Sequence, residues 1–242
     1  MNRLKKIIGF SILWAYIIAM TSFVNVAYNK SYCGAVDIVV QDSLETRFVQ
    51  RSDVAHILKE KGFDVLAQLP SDIKLYEIEE AIQSHASIKT CNCYFLANNT
   101  LKIEVSQRHP IARIFTDRDD YYIDEQGAKM PPSPFYTAHV PIITGYVDTA
   151  LVSTDLFRIA SAISSDPFWE AQIEQIDVEA NGEYVLIPRA GRQRIELGSA
   201  DNLELKFKSL KALYLQVFNN NAWNKYKTIS LKYDGQVVCT KK

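Results

Sequence analysis

The sequence predicts an α+β fold: an N-terminal transmembrane helix, a small βααββ module, and a β-rich domain with helices packed on an extended sheet that ends in a C-terminal edge strand. Three observations predict it. The chain opens on a long uncharged apolar run, two separate blocks then mix helical and period-2 hydrophobic patterning, and the last residues, "TISLKYDGQVV", alternate as a strand does. A length of 242 residues suits two modest domains plus an extension, and 48% apolar with 23% charged residues is globular composition.

"MNRLKK" (1–6) is basic, and no charge appears from Ile7 to Asn29. A helix needs about 20 apolar residues to cross a hydrocarbon core of about 30 Å. The expectation is a short cytoplasmic tail (1–6), a span in the lipid bilayer over 7–29, and an extracytoplasmic remainder set by the positive-inside rule. A cleaved signal peptide is the competing reading, but its apolar core would be shorter and "SFVNVAYNKSYCG" offers only weak small-residue cleavage options.

The module over 34–107 begins with "AVDIVVQ", a strand of β-branched residues. "SDVAHILKEKG" reads as a helix capped by Ser52 or Asp53, with Val54, Ile57 and Leu58 on one face and Gly62 at its C-terminal end. "LYEIEEAIQSH" supplies a second helix with Leu75, Ile78, Ala81 and Ile82 on one stripe. "TCNCYFLANNTLKIEVS" is a hairpin turning at Asn98-Asn99. Two helices and three strands of this size bury their apolar faces only against each other. The layout resembles a POTRA domain.

Residues 108–242 are β-rich. "YYIDEQGAKMPPSP" holds a strand, a turn at Gly127 and a Pro-rich break, and "HVPIITG" is another strand. "TDLFRIASAISSD" reads as a helix, "IEQIDVEANGEYVLIPRAGRQRIELG" as three strands turning at Asn181-Gly182 and Ala190-Gly191, and "NLELKFKSLKALYLQVF" as an amphipathic helix before the terminal strand.

Charge and motifs exclude several function classes. With 27 basic against 28 acidic residues the net charge is −1, which supplies no basic surface for nucleic acid. His56, His85, His109 and His139 are scattered, and no hydrolase, zinc-protease, phosphate-loop or dinucleotide fingerprint occurs. The acidic cluster Asp117, Asp119, Asp120, Asp124 and Glu125 suits turns around "YYI" better than a metal site. Arg189 and Arg192 suit a solvated hairpin tip. We therefore expect no enzyme, no metal, no cofactor and no small-molecule substrate. Cys33, Cys91, Cys93 and Cys239 allow three disulfide pairings or four buried thiols, and Cys91 and Cys93 lie on one side of a strand.

In the terminal segment Ile229, Leu231 and Tyr233 alternate with Ser230 and Lys232. A last strand tends to lie at a sheet edge, where an incoming chain can pair with its backbone. One feature opposes a continuous edge strand: Asp234-Gly235 is a two-residue hairpin signal that would fold "QVVC" back on "SLKY".

In order and spacing, "LKIEVSQRHPIARI", "YIDEQGAKMPPSP" with "VPIITG", "RIELG" and "YKTISLKYDGQVV" resemble the FtsQ/DivIB family of bacterial division proteins over nearly the whole chain. The resemblance implies a non-enzymatic divisome scaffold in the cell (inner) membrane at the septum. Its partners would be FtsB and FtsL homologues and, through them, the septal peptidoglycan synthase FtsW/FtsI. Carried onto this sequence, the strand-addition strip is Ile229, Ser230, Leu231, Lys232, Tyr233, Asp234, Gly235 and Val237. The alternative is a POTRA-containing envelope transport or assembly factor that handles polypeptides.

Overall fold

The computed structural model describes residues 10–21, 32–41, 46–217, 225–233 and 235–242. It divides into two compact units, Met1–Glu45 with Val49–Gln107, and Thr46–Phe48 with Arg108–Lys242. Of the expected span 7–29, residues 7–9 and 22–29 lie outside the described residues. Residues 10–21 form a helix, α1, whose Phe10, Leu13, Trp14, Ile17 and Ile18 are exposed. No helix among the described residues is long and apolar enough to cross a membrane.

The first unit contains β1 (Ala35–Val40), α2 (Arg51–Glu60), α3 (Leu75–Gln83), β2 (Ile88–Phe95) and β3 (Thr100–Gln107). The sheet order is β1-β3-β2, with β1 parallel and β2 antiparallel to the central strand. Leu101, Ile103 and Val105 of β3 are fully buried, as the alternation requires, and Val54, Leu58, Ile78 and Ile82 from the helices complete the same core. Each such side chain contributes about 1.5–3 kcal/mol relative to exposure. The β2–β3 turn places Asn99 at φ 58°, a left-handed position that Asn tolerates. One expectation is corrected: the N-cap of α2 is Gln50, and Asp53 instead takes the third helical position, where its carboxylate accepts the Gln50 N–H at 2.8 Å.

The second unit is a nine-stranded sheet in the order β12-β11-β10-β9-β8-β7-β4-β5-β6. Its strands are β4 (Pro110–Phe115), β5 (Asp120–Asp124), β6 (Lys129–Met130), β7 (Ile142–Gly145), β8 (Ile173–Val178), β9 (Tyr184–Pro188), β10 (Arg194–Gly198), β11 (Tyr226–Ser230) and β12 (Val238–Lys241). β7 and β8 are parallel, as are β10 and β11, so each pair needs a crossover. The first crossover holds α4 (Thr149–Leu151), a π-turn (Val152–Leu156), α5 (Phe157–Ser164) and α6 (Pro167–Gln172); the second holds α7 (Leu203–Val217). Both place helices over one sheet face, where Ile159, Ile163, Trp169, Phe207 and Leu210 pack on Ile143, Ile176, Leu186, Ile195 and Ile229.

Two glycines combine a left-handed φ with a close approach to a neighbouring segment. Gly145 has φ +89°, and a Cβ there would sit 2.2 Å from the Val178 carbonyl oxygen. Gly198 has φ +71°, and a Cβ there would sit 3.1 Å from Lys232 Cγ. β4 and α6 are elements beyond those the hydrophobic pattern predicts. The signal for α6 was present in Asp166-Pro167: the Asp166 carboxylate caps the helix by accepting the Phe168 N–H at 3.0 Å, and proline occupies the first helical position.

Candidate partner-docking edge

β11 ends at Ser230 and does not continue to residue 237. Leu231 donates its N–H to the Glu196 carbonyl at 2.8 Å, still along β10. The chain then leaves the strand, and a turn closes where Gln236 N–H reaches the Tyr233 carbonyl at 3.2 Å, with Gly235 at φ +70°. It returns as β12, antiparallel to β11, with Thr228 opposite Thr240, Ile229 opposite Cys239 and Ser230 opposite Val238.

This corrects the expected continuous edge strand. The hairpin forms, over the longer connection from residue 231 to 237. Asp234 itself lies outside the described residues. The physical reason lies in the sheet: β11 is flanked by β10 on one side and β12 on the other. Since Leu231 N–H faces β10, the alternation of backbone directions turns Ile229 toward β10 and Thr228 and Ser230 toward β12. Ile229 and Ser230 therefore have no vacant side for an incoming strand.

The vacancy has moved to β12, which is the last strand of the sheet order. Lys242 donates its N–H to the Lys225 carbonyl at 3.1 Å, so residues 242, 240 and 238 face β11. By the same alternation Cys239 and Lys241 direct their N–H and C=O groups outward along the free edge.

The other described residues of the expected strip lie in the connection between β11 and β12. Leu231 is buried, Gly235 is exposed, Val237 is partly buried against the core, and Tyr233 is 60% exposed. Leu205, Lys206, Ser209, Leu231, Tyr233 and Gln236 line a shallow cleft between α7 and the turn. Lys206 is buried and donates from Nζ to the carbonyls of Leu197 (3.0 Å) and Ser199 (2.8 Å), fastening α7 to the end of β10. Lys232 reaches the Glu183 carboxylate at 2.5 Å; that hydrogen bond raises the lysine's pKa and lowers the glutamate's.

Two residues of the acidic cluster, Asp120 and Asp124, are held in close ion pairs. Arg108 Nη1 donates to the buried Asp124 at 2.7 Å, and Arg113 pairs with Asp120 through two bonds of 2.8 Å. No group of three or more metal-ligating side chains occurs among the described residues. All four cysteines are free thiols, and the Sγ atoms of Cys91 and Cys93 lie 3.9 Å apart in the core of the first unit.

A family model described as "FtsQ/DivIB, C-terminal related" matches residues 109–240, more than half of the chain, and the free edge lies within that match. The chain belongs to the FtsQ/DivIB family. A POTRA-like domain model matches residues 31–106. No curated protein matches the chain. FtsQ/DivIB and POTRA-like domains are known as non-catalytic scaffold families, and membership points to a role in cell division.

Proposed function

We propose that this FtsQ/DivIB protein is a non-enzymatic divisome scaffold that captures a partner chain by strand addition at β12. The observation that carries the reading is the free backbone edge of Cys239 and Lys241 at the end of a nine-stranded sheet. The partner is an FtsB homologue bound with FtsL, which bring the septal synthase FtsW/FtsI. Ile229 to Val237 take part as support: β11 templates β12, and the exposed Tyr233 lines the α7 cleft.

A bilayer anchor over 7–29 places both folded units outside the cytoplasm at the septum of the cell membrane. The exposed apolar side chains of α1 support it, since lipid is the solvent that would accept them. Anchoring confines the search to the membrane plane, and several weak contacts then add through effective concentration.

The test is a proline scan of β12 in the full-length protein, read by site-specific crosslinking to the FtsB homologue and by fluorescence at mid-cell. Lys241→Pro removes an outward N–H and should abolish the crosslink, whereas Lys241→Gln keeps that N–H and should retain it. Equal crosslinking by the two variants would refute strand addition at this edge.

A further inference from the structure

The chain as a whole is balanced at a net charge of −1, but its C-terminal hairpin is not. Residues 225–242 hold five lysines (225, 227, 232, 241 and 242) and one acidic residue, Asp234. Folding concentrates them further. Lys225 and Lys242 are joined across the hairpin by a backbone bond of 3.1 Å, Lys241 lies opposite Tyr226, and Lys227 occupies the bulge in β11. All four side chains are exposed.

Lys232, at the other end of the hairpin, is engaged by Glu183. Among the described residues, no carboxylate lies within ion-pair distance of Lys225, Lys227, Lys241 or Lys242. Two cations elsewhere on this sheet are matched by carboxylates, Arg194 by Glu179 and Arg113 by Asp120. The uncompensated positive charge therefore lies on the hairpin whose last strand has an open backbone edge.

We propose that the β12 edge selects an acidic extended segment, whose carboxylates meet Lys225, Lys227, Lys241 and Lys242 while its backbone pairs with Cys239 and Lys241. The proposal rests on strand addition at β12 and adds the chemistry of the partner. Backbone pairing is indifferent to sequence; charge supplies the discrimination and speeds encounter. Like charges brought against this edge would be repelled, which also guards an exposed strand from pairing with a second copy of itself.

The experiment uses the full chain in neutral-lipid nanodiscs and two labelled peptides, one alternating Val and Glu, the other alternating Val and Gln. Anisotropy should show the Glu peptide binding tighter by on the order of tenfold at low salt, with the gap closing at high salt. The quadruple variant Lys225→Gln, Lys227→Gln, Lys241→Gln, Lys242→Gln should bind the two peptides equally. Equal affinities with the unmodified chain, no binding of either peptide, or a Glu preference that survives the quadruple change would each overturn the inference. Release of the Glu peptide by phosphatidylglycerol vesicles but not phosphatidylcholine vesicles would assign the lysines to a lipid surface and also overturn it. Failure of the underlying reading looks different: the Glu preference persists, but Lys241→Pro and Lys241→Gln bind alike.

Discussion

Lys232 Nζ lies 2.5 Å from Glu183 Oε2, tying the turn after β11 to the turn that leads into β9, two strands away in the sheet. The stem of the same lysine passes over Gly198, where a side chain would obstruct it. One residue thus ties down the loop that carries Tyr233.

Glu183→Gln should therefore loosen the loop from 231 to 237 with little change in global stability, because both side chains are about one-third exposed. Hydrogen exchange at the Gln236 amide should rise while exchange in β8 and β9 stays unchanged. Unaltered protection at Gln236 would show that the ion pair does not order the turn.

The same pair sets a pH window. Glu183 is held below its ordinary value of 4.5 by the Lys232 hydrogen bond, so its contribution is complete above 4.5 and is lost as pH falls through the lowered value. Lys232 is held above 10.5 by the same bond, so its contribution is complete below 10.5 and is lost as pH rises through the raised value. Loop protection should be flat between these limits and fall outside them, and Glu183→Gln should erase the acid limb.

Glycine substitutions should rank by what the new Cβ meets. Gly145→Ala drives a methyl to 2.2 Å from a backbone oxygen of the neighbouring strand and should cost more than about 3 kcal/mol. Gly235→Ala meets nothing within 4 Å and bears only the left-handed backbone cost of roughly 1 kcal/mol. Urea midpoints of the two variants check the order.

Asp124 is fully buried and accepts bonds from Arg108 (2.7 Å), Gln126 N–H (2.9 Å) and Ala128 N–H (2.7 Å). Asp124→Ala should destabilise the second unit by about 3–5 kcal/mol, because three donors lose their acceptor at once. The same change should leave partner crosslinking at β12 unaffected in whatever fraction remains folded.

Trp169 is buried among Phe168, Phe207 and Tyr214 at centroid distances of 4.8, 5.3 and 5.6 Å. Trp169→Ala should cost about 3–5 kcal/mol. Burial also pushes the Tyr214 hydroxyl up to about 12, so its ionisation in the native protein should begin well above the ordinary tyrosine value of about 10. Ultraviolet titration checks this.

Local pattern was enough for the units whose contacts are near in sequence. The order strand, helix, helix, strand, strand in the first unit, and β8 to α7 in the second, follow from periodicities of 2 and 3.6 and from Gly and Asn at turns, because each such element shows its buried face within its own residues. At the C-terminus, alternation through Ile229, Leu231 and Tyr233 describes an extended strand equally well whether or not the chain turns afterwards. Which neighbour takes each backbone group is a long-range matter. Glu196 claims the Leu231 amide, Glu183 draws Lys232 aside, and Gly235 lets the chain reverse, so the open edge passes to β12. Only the folded hairpin, too, brings Lys225 and Lys227 beside Lys241 and Lys242, since a charge balance summed along the chain contains no distances.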